Sequence, residues 1–150
     1  MRRALLGLVL TFSLLGWGKT PAFAESGTDR LVQKGVNAQK MGNYGEAFQW
    51  FQLAANAGSA EGQYRVGYCY LTGQGVRLDE ELAVKWLHRA ADQGDARSEF
   101  NLGNCYEKGW GVLLSLDDAK KWYQAAAQQG FKAAENALKR LAASSAPDGN

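Results

Sequence analysis

The segment WLHRAADQG, residues 86–94, contains the only histidine of the chain, close to an arginine and an aspartate. A histidine beside a carboxylate can act as a general acid or base near neutral pH. The segment recurs 36 residues upstream as WFQLAANAG and 36 residues downstream as WYQAAAQQG, where glutamine replaces His88. Because the tryptophan, the paired alanines and the final glycine recur while the histidine does not, the pattern indicates a helix-packing unit. We expect His88 on the solvated side of its helix.

Two acidic pairs, Glu80 with Glu81 and Asp117 with Asp118, are the other candidates for acid–base chemistry. Both pairs stand at the predicted starts of helices, where carboxylates interact favourably with the helix dipole. The sequence after residue 24 contains no zinc-type spacing of cysteine and histidine and no S-x-x-K motif. The residues therefore predict no catalytic set, no metal site and no cofactor.

The amino-terminal residues have the three parts of a secretory signal. The start MRR precedes an apolar run over residues 4–17, and an A-x-A sequence ending at Ala24 predicts cleavage after that residue. The apolar run is shorter than the about 20 residues of a membrane-spanning helix. We therefore predict a periplasmic or secreted protein without a stable membrane anchor, and we assign residues 1–24 to the signal peptide.

The charge balance argues against a nucleic-acid partner. The chain has 17 lysines and arginines and 15 acidic residues, and removal of Arg2, Arg3 and Lys19 with the signal leaves 14 basic residues. The remaining chain is thus near neutral. After residue 24 it contains no block of lysine and arginine with interleaved aromatic residues, which a phosphate-binding face would require.

The 36-residue period extends well beyond the tryptophan segment. The following pairs stand one period apart: Tyr64 and Phe100, Gly67 and Gly103, Cys69 and Cys105, Tyr70 and Tyr106, Gly73 and Gly109, Gly75 and Gly111, Val76 and Val112. Apolar residues at steps of three and four that end in glycine predict two helices in each unit. Asp79 and Ser115 are good N-caps for the second helices. Such helix pairs bury their apolar faces only by stacking on one another.

Glycines in the middle of the first helices are unfavourable by about 1 kcal/mol each relative to alanine. Gly67 and Gly103 recur at the same place in two units, as do the small residues Ala83 and Ala119 in the middle of the second helices. We therefore expect a close approach between the paired helices, with Trp86 and Trp122 filling the space alongside.

The segments GYCYLTGQGVRLDEELAVKWLHRAADQG and GNCYEKGWGVLLSLDDAKKWYQAAAQQG resemble Sel1-like repeats, relatives of tetratricopeptide repeats with a G-x-G-V loop between the two helices. The first unit lacks this insertion, and its segment MGNYGEAFQWFQLA resembles an ordinary tetratricopeptide turn. The last segment, FKAAENALKRL, has Lys139 where the other first helices have glycine, which suits the end of a stack.

The resemblance implies an all-α fold, a right-handed α/α solenoid. We predict about three helix-turn-helix repeats, the first tetratricopeptide-like and the next two Sel1-like, plus a C-terminal capping helix. This repeat domain covers residues 25–143, and residues 144–150 are expected to form a disordered tail.

Two cysteines in a chain that we expect to be exported are candidates for a disulfide. However, Cys69 and Cys105 occupy equivalent positions in successive units, and packed helices lie about 8–10 Å apart. A disulfide needs Cα atoms within about 7 Å of each other. Cysteine-rich relatives join the two helices within one repeat, which takes two cysteines per unit, whereas this chain has one. We expect buried free thiols rather than a bridge.

The resemblance also implies a concave face, formed by the first helices, that binds a protein or peptide partner. The tetratricopeptide groove positions, counted from the helix glycines, correspond to Glu61, Tyr64, Tyr68, Leu71, Thr72, Arg97, Phe100, Asn104, Glu107, Lys108, Asn136 and Arg140. Aromatic residues mixed with charges of both signs suit peptide contact. Tyr64 and Phe100 recur between units and fit a core role equally well.

Trp110 stands in the second G-x-G-V loop, where the preceding unit has Gln74. It is either a loop contact for a partner or a residue that covers the helix ends. For the whole chain we predict an exported protein- or peptide-binding scaffold without enzymatic activity. Two alternatives stay open: a hydrolase of the β-lactamase-like kind attached to some cysteine-rich relatives, and a purely structural part of an envelope assembly.

Overall fold

The computed structural model describes residues 27–144, which form seven α-helices. The helices are α1 (Gly27–Lys40), α2 (Tyr44–Asn56), α3 (Ala60–Thr72), α4 (Glu80–Ala91), α5 (Ala96–Lys108), α6 (Leu116–Gln128) and α7 (Lys132–Ser144). The described part of the chain contains no β-strand. The predicted all-α repeat fold of three helix pairs and a seventh helix is therefore confirmed. The predicted signal peptide, its cleavage site and residues 145–150 lie outside the described residues.

The turns between paired helices differ in length as the sequence predicted. Residues 41–43 join α1 to α2, whereas residues 73–79 join α3 to α4 and residues 109–115 join α5 to α6. In these longer turns Gly73 and Gly109 adopt positive φ angles of 69° and 74°, which end α3 and α5 with left-handed caps.

The second helices begin at the predicted caps. The side chain of Asp79 accepts a hydrogen bond from the backbone N–H of Leu82, and Ser115 Oγ accepts one from the N–H of Asp118. Each bond satisfies one of the unpaired donors at a helix start. The starts of α4 and α6 are thus specified locally.

A glycine in each first helix faces a large side chain of its paired helix. A Cβ atom on Gly35 would lie 2.4 Å from Phe51 Cε1, one on Gly67 2.8 Å from Leu87 Cγ, and one on Gly103 2.4 Å from Tyr123 Cδ1. These separations are too short for any side chain larger than hydrogen. The three glycines therefore allow the paired helices to approach closely.

The expected close approach is present, but the residues that occupy it differ from the prediction. Leu87 and Tyr123 face the glycines, whereas Trp86 and Trp122, one position earlier, are only half-buried. Each tryptophan instead packs at the border of the apolar cluster of a neighbouring unit. The tryptophans therefore contribute to stacking between units.

Successive units also pack closely. A Cβ atom on Gly62 of α3 would lie 2.6 Å from the backbone nitrogen of Ala55 in α2. Three apolar clusters follow one another along the stack, and the last of them, with Tyr123 and Leu141, joins α6 to the capping helix α7. The core therefore runs through all units, as expected when no helix pair can bury its apolar face alone.

Cys69 and Cys105 are buried free thiols in the structure, as expected. Burial raises the pKa of the Cys69 thiol to about 11 and that of the Cys105 thiol to about 12. Both side chains therefore stay protonated at neutral pH and pack as small apolar groups.

The glycine contacts predict opposite effects for two alanine substitutions. Gly103→Ala places a methyl group against the Tyr123 ring, and overpacking of this kind costs about 1–3 kcal/mol. Gly45→Ala, in helix α2, meets no atom within 4 Å and should be neutral or stabilising by up to about 1 kcal/mol. Urea unfolding followed by circular dichroism measures both changes. A Gly103→Ala protein as stable as the parent would contradict the close-packing account.

Candidate functional site

All twelve residues predicted to bind a partner lie on α3, α5 and α7. We call the surface formed by these helices the first-helix face. Side-chain contacts link neighbouring helices across it, from α3 to α5 through Glu61 and Arg97 and from α5 to α7 through Glu107 and Arg140. The predicted residues are thus brought together on one surface.

A first charge cluster lies between α3 and α5. Glu61 forms ion pairs with Arg65, at 2.6 Å, and with Arg97, which stands one period later in the sequence. Arg97 also pairs with Asp95 at 2.5 Å, and its guanidinium lies 4.2 Å from the centre of the Tyr64 ring. Burial would lower the pKa of Arg97, but its hydrogen bonds to both carboxylates outweigh burial and raise that pKa. The guanidinium is therefore held in one position.

A second cluster ties α5, α6 and α7 together. Arg140 donates two hydrogen bonds to the Glu107 carboxylate, at 2.6 and 2.8 Å. The fully buried Tyr123 donates its hydroxyl to the same carboxylate at 2.6 Å, and this hydroxyl lies 2.8 Å from Asn104 Oδ1. The bonds from Arg140 lower the pKa of Glu107 to about 2, although burial acts to raise it. Burial also raises the pKa of Tyr123, as does its bond to Glu107.

Three of the residues predicted to bind a partner, Tyr64, Leu71 and Phe100, are half-buried. The Phe100 ring lies 5.6 Å from the Tyr123 ring and 5.3 Å from the Phe131 ring. Tyr64 and Leu71 pack at the border of the cluster that contains Leu87 and Leu102. These residues pack against the core beneath the exposed side chains of the first-helix face.

The remaining members are exposed. Tyr68 is 38% exposed and its ring lies 6.2 Å from that of Tyr64. Thr72, Lys108 and Asn136 are also exposed, and the Thr72 hydroxyl donates to the backbone carbonyl of Tyr68. Tyr68 is therefore an accessible aromatic side chain beside a framework of fixed charges.

The charges of the two clusters are unequally accessible. The cationic side chains of Arg97 and Arg140 are 37% and 56% exposed. The carboxylate side chains of Glu61, Asp95 and Glu107 are 31%, 10% and 8% exposed. Lys108 adds a further exposed cation. Although both signs are present, the first-helix face presents mainly positive charge to solvent.

The prediction for His88 was wrong. Its side chain is half-buried, and its ring lies 5.2 Å from the Trp122 ring at an interplanar angle of 71°. Burial lowers the pKa of His88, and the nearby Asp92 acts in the opposite direction. The 36-residue register gives no information on this contact because it joins nonequivalent positions of two units. The histidine therefore serves packing between α4 and α6.

One member of each acidic pair has a structural partner near the helix start. The Glu80 carboxylate accepts a hydrogen bond from the backbone N–H of Gly111 at 3.2 Å, and Asp118 pairs with Lys121 and Ser115. A Cβ atom on Gly111 would lie 2.4 Å from the Glu80 carbonyl group. The second G-x-G-V loop is thus held against the start of α4. The adjacent Trp110 side chain is 41% exposed.

Within residues 27–144, no group of three or more histidine, cysteine, aspartate and glutamate side chains is arranged to hold a metal ion. None of the seven described helices has the length and apolar character required to cross a membrane.

Known proteins provide comparisons for this arrangement. A family model described as Sel1 repeat matches residues 30–59, 60–95 and 96–131, so the match includes the first unit, which lacks the loop insertion. No curated protein matches the chain significantly.

Two solved structures are similar. One is a protective antigen present in uropathogenic Escherichia coli strains that displays an SLR fold, with 30% identity and a TM-score of 0.73 over 76% of this chain and 25% of that protein. The other is a Sel1 repeat protein from Oxalobacter formigenes, with 34% identity and a TM-score of 0.69 over 74% of this chain and 44% of that protein. The chain thus spans less than half the length of either protein.

The second charge cluster makes a pH-dependent prediction. A carboxylate with a lowered pKa stabilises the fold above its unfolded pKa, and this stabilisation is lost as the pH falls towards the folded value. For Glu107 that window runs from about pH 4.5 to about pH 2. Glu107→Gln should lower the free energy of unfolding by about 1–3 kcal/mol at pH 7 and by much less at pH 2.

Urea unfolding at the two pH values tests this effect. Glu135→Gln is the matched control, because Glu135 pairs with the exposed Lys132 one turn earlier in α7, and exposed pairs contribute about 0–1 kcal/mol. An equal loss for Glu107→Gln at both pH values would show that the ion pair to Arg140 does not stabilise the stack.

Proposed function

Because the chain belongs to the Sel1 repeat family, we propose that it is an exported scaffold that binds a protein or peptide partner on its first-helix face. The observation that carries this proposal is the exposed Tyr68, whose ring neighbour Tyr64 lies against the fixed Arg97 guanidinium, together with the exposed Arg140 on α7. Aromatic and arginine side chains contribute most strongly to protein interfaces. Stacked helix pairs commonly use the face of their first helices for binding.

The framework of the face is held in place before any partner arrives. Arg97 is fixed by two carboxylates and a tyrosine ring, and Arg140 by both oxygens of Glu107. A partner therefore does not have to immobilise these long side chains, and that immobilisation costs about 0.5–1.5 kcal/mol per side chain. The same ion pairs that stabilise the stack therefore also prepare this surface for binding.

The accessible charge suggests the chemistry of the partner. The guanidinium groups of Arg97 and Arg140 are more exposed than the carboxylates that hold them. We expect a segment that places an apolar side chain on Tyr68 and separate carboxylates near Arg97 and Arg140, since charge-assisted hydrogen bonds to carboxylates are strong.

Export is supported by the amino-terminal sequence. Residues 1–24 combine a basic start, an apolar run and an A-x-A sequence before the proposed cleavage point after Ala24. The proposal therefore assigns the scaffold to the periplasm or to the secreted fraction. It includes no catalytic step, because His88 packs against Trp122, Glu80 accepts from Gly111 and Asp118 pairs with Lys121.

Substitution of the exposed residues tests the binding face. The triple variant Tyr68→Ala, Lys108→Ala and Asn136→Ala removes accessible side chains and leaves both charge clusters intact. Leu53→Ala is the control, because Leu53 is an exposed apolar residue on α2, away from this face. The proteins are compared by affinity capture from envelope extract and then by titration with the purified partner.

We expect the triple variant to weaken binding at least tenfold and the control to bind like the parent. Circular dichroism and thermal unfolding establish that both variants fold. A partner held equally by the parent and by the triple variant would contradict the assignment of the first-helix face.

A further inference from the structure

The exposed apolar side chains are concentrated on one edge of the stack. We call this the loop edge and define it as residues 41–44, 73–79 and 109–116, where first helices end and second helices begin. Among the described residues, seven of the nine exposed large apolar side chains lie there: Met41, Tyr44, Leu78, Trp110, Leu113, Leu114 and Leu116. The turns at the opposite edge, residues 57–59, 92–95 and 129–131, contain none of the nine.

The three parts of the loop edge form a continuous surface. The backbone of Gly75 packs on Tyr44, since a Cβ atom there would lie 2.0 Å from the Tyr44 carbonyl oxygen. One unit later Gly111 packs on Glu80 in the same way and donates its N–H to the Glu80 carboxylate. Each loop is thus held against the helix start of the preceding unit.

Two leucines of the loop in the third unit are largely exposed. Leu113 is 90% exposed and Leu114 is 63% exposed, on a loop whose backbone is held in place at Gly111. Single exposed leucines are common, but a contiguous apolar patch marks an interaction site. With Trp110 and Leu116 beside them, these leucines form such a patch.

Acidic side chains border this patch. Leu78, Val112 and Leu113 line a depression together with Asp79, Glu80 and Glu81, and no lysine or arginine of the described residues is part of its lining. The loop cation Arg77 borders a neighbouring depression instead. The lining therefore combines apolar contact area with negative charge.

We propose that the loop edge is a second interaction surface, which binds a protein segment that carries a lysine or arginine next to an apolar side chain. The apolar side chain contacts Leu78 and Leu113. The cation pairs with the exposed Glu81 carboxylate, since Asp79 caps α4 and Glu80 accepts from Gly111. This chemistry is opposite in charge to that of the first-helix face, and the proposal does not depend on the function assigned to that face. A lipid surface fits less well, because anionic membranes attract basic rather than acidic segments.

Selection from a displayed random dodecapeptide library on the purified protein tests this proposal. We expect enriched peptides to place lysine or arginine beside leucine, isoleucine, valine or phenylalanine. In fluorescence anisotropy, Leu113→Asn with Leu114→Asn should weaken the binding of these peptides at least tenfold. Leu53→Asn, a matched change of an exposed leucine on α2, should leave their affinity within twofold of the parent.

A charge reversal tests the acidic component. Glu81→Lys should weaken the binding of the basic peptides at least tenfold and favour acidic peptides, while Leu53→Asn on α2 should leave the affinity for both within twofold of the parent. Substitutions of exposed residues leave the core intact, and circular dichroism verifies this. The proposal is overturned if no selected peptide depends on Leu113 and Leu114, or if the enriched peptides lack basic residues. It is also overturned if the protein binds vesicles of neutral phosphatidylcholine through these leucines.

Discussion

The close approach of paired helices is the constraint on which the rest of the structure depends. In each unit a glycine of the first helix lies directly against Phe51, Leu87 or Tyr123 of the second helix. A helix-interior glycine is unfavourable by about 1 kcal/mol, which the burial of a large apolar side chain offsets. Because the contact is the same in each unit, each unit can stack on the next with similar geometry.

Stacking places functional groups on surfaces that no single unit possesses. Tyr123 shows the connection most directly, because its ring packs on Gly103 while its hydroxyl reaches Glu107, which in turn holds Arg140 of the capping helix. Core packing and the charge of the first-helix face are therefore joined through one side chain. The result is a face with exposed cations, while the loop edge of the same stack carries exposed leucines and carboxylates.

Sequence periodicity predicted the helices, their caps and the free cysteines, because each depends on local chemistry or on the repeat register. It did not predict which side chain faces each glycine, since that depends on the rotation of one helix against the other. It also misplaced His88, whose contact with Trp122 forms only when units stack. The twelve predicted residues do share one surface. The pairing of Glu107 with Arg140 could not be predicted from the 36-residue repeat, because the two residues are 33 positions apart and do not occupy equivalent positions.

Site-specific photocrosslinking tests the binding account most directly. A photoreactive phenylalanine analogue at position 68 would lie on the first-helix face, and the same analogue at position 53 would lie on α2. Illumination of cells that express the protein should yield a crosslinked partner from position 68 and none from position 53. Crosslinking from position 53 alone, or equally from both positions, would contradict a binding site on the first-helix face.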